Sequence, residues 1–187
     1  MFNNFPNGEP DMSNFLRKLG LSMAALLATA LTGTALGAPT TFNVTANVPA
    51  ICKINSAGNM GFGAYDVTSP TSIQANSTIS VTCSKGTVAT VALSAGGGSF
   101  VTRTMADVSA NTLSYNLFKT SVTNATCTGG TVFGDGTGST QTEAGTSASV
   151  GTPLTFTVFG CIPAGQDATA GSSENYTDTI TVTVTFT

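Results

Sequence analysis

The last stretch of the chain alternates between mostly apolar side chains and threonines. Threonines occupy every second position from Thr177 to Thr187, and the apolar row between them comprises Tyr176, Ile180, Val182, Val184 and Phe186. Because strand side chains point alternately to the two faces, this pattern predicts one strand with an apolar face and a hydroxyl face. The many β-branched residues favour the same interpretation, and helical spacing fits poorly. A long strand of this kind needs a neighbour that covers its edge.

A second alternating stretch occupies residues 40–48. Threonine and asparagine side chains form its polar face, and its other face carries Phe42, Val44, Ala46 and Val48. The stretch ends at Pro49, which has no N–H to donate to a sheet. Both alternating stretches fit ordinary strands of one closed sandwich. They also fit strand addition between molecules, in which main-chain hydrogen bonds supply affinity and alternate side chains fill pockets.

Between these two stretches the chain reads as short extended segments separated by Gly, Pro and Asn turns. Strands are expected near 51–54, 60–66, 73–84, 88–94, 100–105, 113–119 and 154–158, with a turn at 55–59 and a polar loop at 139–151. No helical period appears after the N-terminal segment. The pattern therefore predicts an all-β sandwich in a single domain.

The N-terminal segment has the features of a secretory signal. Arg17 and Lys18 precede an apolar run that extends to Leu36, and small residues at Ala35 and Gly37 suit cleavage after residue 37. We predict a signal peptide over residues 1–37, with Met12 as a tidier start of translation, and no membrane span after cleavage. The alternative is an uncleaved anchor, because the run is about long enough to cross a bilayer.

Composition narrows the possible functions. Only 8% of the residues are charged, the net charge is −3, and the chain contains no histidine. Binding to nucleic acid is excluded, because phosphate neutralisation needs clustered Lys and Arg. The commonest general base and metal ligand is missing, and the carboxylates are dispersed, so we expect neither an enzyme nor a cofactor. The segment Gly134–Gly138 has one acidic residue and no lysine, which indicates a turn instead of a calcium or phosphate loop.

Four cysteines, Cys52, Cys83, Cys127 and Cys161, follow the predicted signal. In an oxidising compartment an even number implies two disulfides, and three connectivities are possible. We favour Cys52–Cys83 and Cys127–Cys161. Each of these bonds closes a loop of about thirty residues, which the chain-entropy treatment values at roughly 3–4 kcal/mol.

Several stretches together resemble the spore coat protein U family, which includes the pilins of archaic chaperone–usher fimbriae. The similarity covers essentially the whole chain after the signal, in the same order, and is carried by Phe42–Val48, Met60–Asp66, Ile79–Cys83, Leu113–Leu117, Gly134–Gly138, Ile162–Gln166 and Tyr176–Val184. The resemblance implies an incomplete immunoglobulin-like β-sandwich that a donor strand completes. Cys52 and Cys83 match the usual bridge of this family, whereas Cys127 and Cys161 are an addition to it.

The resemblance also implies a function and its partners. Residues 38–49 correspond to the donor-strand segment, and residues 50–187 to the pilin domain. The acceptor groove lies beside the terminal strand and is expected to include Ile180, Val182, Val184 and Phe186. The expected partners are neighbouring pilin subunits, a periplasmic chaperone and an outer-membrane usher. The chain would pass through the periplasm to a surface fimbria that supports adhesion and biofilm formation; the alternatives are a secreted spore-coat or matrix protein and a carbohydrate-binding adhesin.

Overall fold

The structure is a computed structural model and describes residues 37–170 and 176–187. The predicted signal peptide, apart from Gly37, lies outside these residues. The chain divides into two units, Met1–Ala46 and Asn47–Thr187. Of the first unit, residues 37–46 are described; they carry no strand and are exposed.

The second unit consists of two antiparallel sheets. Its strands are β1 (Cys52–Ala57), β2 (Ile73–Cys83), β3 (Val88–Leu93), β4 (Arg103–Ala106), β5 (Thr112–Phe118), β6 (Glu143–Thr146), β7 (Leu154–Ile162) and β8 (Val182–Phe186). One sheet has the order β1-β2-β7-β5-β4 and the other the order β6-β3-β8. The described residues contain no helix. This architecture confirms the predicted all-β sandwich.

The core lies between the two sheets and is built by the period of two. Alternate residues of β2, β3, β5 and β7 are buried, and the innermost include Val81, Val91, Leu117 and Phe156. The intervening positions of β2 and β7 are mostly threonine, serine and asparagine, which face outward. The apolar face of each of these strands therefore packs against the opposite sheet, and the other face is directed outward.

Three predictions on local structure were wrong. Residues 60–66 form no strand, because the backbone turns at Gly63, where φ is +76°. The strand β1 continues to Ala57, where a turn was expected, because it pairs along β2 as far as Ile79. The polar stretch 139–151 contains β6, which pairs with β3. In the last two cases pairing between distant segments decides the backbone conformation.

The terminal stretch is divided between the two sheets. Thr177 exchanges backbone hydrogen bonds with Ala106 of β4, with N···O distances of 2.9 and 3.0 Å. The following residues leave that sheet, and Val182–Phe186 pair with β3 of the other sheet. The predicted period still holds, since the threonines are exposed and the apolar residues up to Val184 are partly buried.

Two disulfides join the cysteines in the favoured order. Cys52–Cys83 links the first residue pair of β1 and β2, and Cys127–Cys161 ties the segment after β5 to β7. Around the second bond lies a small separate apolar cluster with Phe118, Val122 and Phe159. Within the described ranges the structure contains no helix of the length and apolar character that a membrane crossing needs.

Candidate functional site: an open groove between two sheet edges

The main candidate site is an open groove in the second unit, with a volume of about 520 Å³. One wall is the segment 57–62, which begins at the last residue of β1, and the other wall is the segment 176–182, which leads into β8. The floor is apolar and is formed by Ile79, Leu93, Met105, Leu117 and Val158. The site therefore has an apolar floor, and one segment of main chain borders it on each side.

The first wall is fixed by packing on a glycine. A β-carbon at Gly160 of β7 would overlap Met60 Sδ and the ring of Phe62, so these side chains require a glycine beneath them. Phe62 also meets Tyr115 edge to face, with ring centroids 6.2 Å apart. The wall continues to Tyr65, whose hydroxyl donates to the Pro163 carbonyl at 2.9 Å and accepts the Gln166 N–H at 2.9 Å.

The second wall is fixed by Asp178, the charged residue in the groove lining. Its Oδ1 accepts the N–H groups of Gly97, at 2.9 Å, and Thr179, at 2.7 Å, and its Oδ2 accepts the Tyr115 hydroxyl at 2.5 Å. A β-carbon at Gly96, where φ is +67°, would overlap the Asp178 carboxylate. Burial, followed by the hydrogen bond to Asp178, raises the pKa of Tyr115 above its ordinary value.

The buried side chain of Arg103 forms hydrogen bonds near this wall. The side chain is completely buried, and its guanidinium donates to the carbonyl oxygens of Ser94, at 2.9 Å, and Phe133, at 2.8 Å, and to Asn116 Oδ1 at 2.6 Å. Desolvation lowers its pKa. Because Arg103 begins β4 and Ser94 follows β3, these bonds join the two sheets beside the groove.

The two strands whose ends reach the groove, β1 at Ala57 and β8 at Val182, are edges of their sheets. The strand β1 pairs with β2, and β8 pairs with β3; each stands last in its sheet among the described residues. Their outer N–H and C=O groups are therefore directed away from their sheets. The apolar face of β8 is also incompletely covered, since Val182 and Val184 are only partly buried and Phe186 is 43% exposed. Both features are typical of a sheet that can accept a further strand.

The predicted acceptor residues are not all in one place. Ile180 and Val182 line the groove, Val184 packs on the core, and Phe186 lies exposed at the far end of β8.

The predicted donor residues are exposed. Phe42 is 86%, Val44 is 83% and Val48 is 82% exposed, and Ala46 is exposed as well. An exposed row of large apolar side chains is unusual for a monomeric surface and often marks an interaction site.

Sequence reasoning missed most of the groove lining. It treated Met60 and Phe62 as strand residues and counted Asp178 among dispersed carboxylates. The available signal was the alternation of large apolar residues with glycine in Met60–Gly63, which permits close backbone approach. The local signal for Asp178 was its position among the apolar residues of the terminal stretch, but its distant partners, in the β3–β4 connection and in β5, had no such signal.

The segment Gly134–Gly138 is a turn in the structure. Asp135 Oδ1 accepts the Thr137 N–H at 2.9 Å and the Thr137 hydroxyl at 2.6 Å, and these bonds lower the pKa of Asp135. Gly136 and Gly138 both have positive φ, of 86° and 58°. The local hydrogen bonds and backbone angles account for this composition.

A family profile described as Spore Coat Protein U domain matches residues 38–183. No curated protein matches the chain. Among solved structures, the chain is similar to one in the crystal structure of the CsuC–CsuE chaperone–tip adhesion subunit pre-assembly complex from the archaic chaperone–usher Csu pili of Acinetobacter baumannii. That match has 21% identity and a TM-score of 0.48, and it covers 73% of this chain and 40% of that chain.

Proposed function

Because the chain belongs to the Spore Coat Protein U domain family, we propose that it is a structural subunit of a surface fimbria assembled by donor-strand exchange. The observation that carries this proposal is the open groove of about 520 Å³, which has an apolar floor and lies where the edge strand β1 ends and the edge strand β8 begins. A groove of this form suits an extended segment, because its borders offer main-chain groups and its floor offers apolar contacts.

The proposed occupant is residues 38–49 of a neighbouring copy. Their apolar side chains recur at every second position, which is the spacing of one face of a strand. Four such residues span about 20 Å at roughly 3.3 Å per residue. Inserted into the groove, Phe42, Val44, Ala46 and Val48 would face the floor, and the threonines and asparagines would face solvent.

The proposal includes an export route and two assembly partners. Residues 1–37 act as a signal peptide, residues 38–49 as the donor segment, and residues 50–187 as the acceptor domain. A periplasmic chaperone covers the groove before assembly, and an outer-membrane usher passes the subunit to the growing fibre. The fibre then serves adhesion and biofilm formation at the cell surface.

Substitution of the donor row tests this proposal. In the double variant Phe42→Asp/Val44→Asp we expect polymers to disappear, because each aspartate would bring an unpaired charge into an apolar groove. The second unit should stay folded. The measurement is the size distribution of the exported chain by light scattering, together with electron microscopy of fibres.

The matched control is Asn43→Asp/Thr45→Asp, which adds the same charge to the other face of the same segment. This control should still polymerise. Fibres from the Phe42→Asp/Val44→Asp variant would refute the donor assignment. A parent chain that remains a stable monomer would favour a secreted coat or matrix protein, and glycan binding by such a monomer would favour an adhesin.

A further inference from the structure

The residues that connect the N-terminal apolar row to β1 are held by one serine. Ser84 Oγ donates to the Pro49 carbonyl at 3.1 Å and accepts the Ile51 N–H at 3.2 Å, and Ser84 N donates to the Ile51 carbonyl at 2.9 Å. The Cys52–Cys83 disulfide stands next to these bonds. Residues 49–51 therefore continue the line of β1 beyond its first residue. We call this arrangement the Ser84 clamp.

The Ser84 clamp lies at the opposite end of β1 from the groove. The groove borders residues 57–62, which begin at Ala57, the last residue of β1. At the other end, Val48 to Ala50 share a cleft of about 360 Å³ with Thr187, which follows β8. The free edges of β1 and β8 are therefore both close to Val48 to Ala50, where the apolar row joins the second unit.

Because of this position, the apolar row could also pair with strands of its own chain. If residues 49–51 formed a turn, residues 42–48 could fold back against β1 as a hairpin, since connections of three residues are common in hairpins. The apolar row would then run along β8 of its own chain, in the same direction as β8. The Ser84 clamp opposes this conformation, because it holds residues 49–51 extended and occupies the carbonyl groups of Pro49 and Ile51.

We propose that Ser84 is a positioning residue that keeps this connection extended, so that the apolar row enters the groove of a second copy and not its own. The inference rests on the proposed function. A folded-back segment would also pair in parallel with β8, which is slightly weaker per residue than antiparallel pairing. A segment from another copy is free to enter in either direction.

The variant Ser84→Ala tests the clamp. It removes two of the three hydrogen bonds, and at typical net strengths the ratio of folded-back monomer to polymer should rise about tenfold. The folded-back monomer should resist an added fluorescent peptide of residues 38–49, because its own segment already occupies the edges of β1 and β8. The measurements are the monomer fraction by size-exclusion chromatography and peptide capture by that fraction.

Two substitutions serve as controls. Ser84→Thr keeps a hydroxyl at the same position and should retain the monomer fraction of the parent chain. Ser80→Ala removes a hydroxyl from β2, the strand that ends just before Ser84; Ser80 Oγ accepts the Asn55 side-chain amide at 3.3 Å. It should also behave as the parent chain. If Ser84→Ala matches both controls in size and in peptide capture, the proposal is wrong.

A second variant covers the case in which Ser84→Ala does not fold. A flexible Gly/Ser linker of about ten residues between Ala50 and Ile51 breaks the continuity of the clamp and leaves Ser84 in place. It should likewise yield peptide-resistant monomers, and unchanged polymers would overturn the inference. A different result would refute the proposed function itself. That result is a Phe42→Asp/Val44→Asp variant that captures none of the peptide of residues 38–49.

Discussion

Arg103 places a permanent positive charge inside the sandwich, where the partners of its guanidinium are carbonyl and amide oxygens. Those oxygens belong to Ser94, Phe133 and Asn116, in three different parts of the chain. Its long side chain also lies under the Phe100 ring, with the guanidinium carbon 5.3 Å from the ring centroid. The residue thus provides donors to three acceptors, and its bonds connect the two sheets beside the groove.

Replacing Arg103 by Met keeps much of the volume and removes every donor. We expect the free energy of unfolding to fall by about 3 kcal/mol, because buried acceptors lose their partners. The measurement is urea unfolding in the non-polymerising Phe42→Asp/Val44→Asp background. Lys53→Met is the control, since Lys53 is exposed, and it should change stability by no more than about 0.5 kcal/mol. Equal stability of the two variants would show that the guanidinium contacts contribute little.

Tyr115 links the groove floor to Asp178, and its raised pKa gives a pH dependence with a definite sign. Because burial and the bond to Asp178 favour the protonated phenol in the folded state, its contribution is complete below the unfolded pKa of about 10 and declines above it. We expect the urea midpoint to fall between about pH 10 and pH 11. In Tyr115→Phe this decline should be shallower, from a lower starting stability.

The matched control for the alkaline experiment is Tyr176→Phe. The Tyr176 hydroxyl donates to the Thr169 carbonyl at 3.0 Å in an exposed position. This variant should keep the alkaline decline of the parent chain. A Tyr115→Phe variant with the same slope as Tyr176→Phe would mean that other groups cause the loss of stability at high pH.

At the scale of elements, strands with a buried apolar face were predictable from sequence. The strands β2, β3, β5 and β7 carry their period of two in side chains that the opposite sheet covers, so local pattern and tertiary packing agree. The edge strand β6 was missed because its Glu143–Thr146 sequence is short, small and polar. Pairing with β3, together with the 3.4 Å ion pair between Lys119 and Glu143, defines it.

The groove walls were harder to predict, because they are extended segments without regular pairing. The sequence pattern identified Ile180 and Val182 through the alternation of the terminal stretch. It did not reveal that this stretch changes sheets near Asp178, nor that Met60 and Phe62 rest on Gly160. Both features depend on contacts between residues more than 60 positions apart. The positions of the two walls follow from these long-range contacts and not from local propensity.

At the scale of the whole molecule, the second unit has a well-buried core and one incompletely covered side. The apolar face of β8 remains partly accessible beside the open groove, whereas the floor residues of the groove belong to the buried core. Burial of that surface by an added strand would stabilise the folded state, because apolar area would leave water and edge groups would gain partners. The stability of this unit should therefore depend on the concentration of its donor.

Adding the donor segment as a separate peptide tests this dependence. The acceptor is the Phe42→Asp/Val44→Asp variant, whose own segment should not fill the groove, and the ligand is a peptide of residues 38–49 with the parent sequence. At a peptide concentration of about 100 Kd the free energy of unfolding should rise by about 2.7 kcal/mol, because the peptide binds only the folded state. The measurement is urea unfolding across a series of peptide concentrations.

A peptide that carries Asp at positions 42 and 44 is the control, because it has the same length and the same polar face. It should leave the unfolding midpoint unchanged, which separates apolar insertion from nonspecific stabilisation. Stabilisation that grows with the logarithm of parent-peptide concentration is the expected sign of a groove completed by a strand. If both peptides act equally, or neither acts, the groove does not take this segment and the unit is stable without a donor.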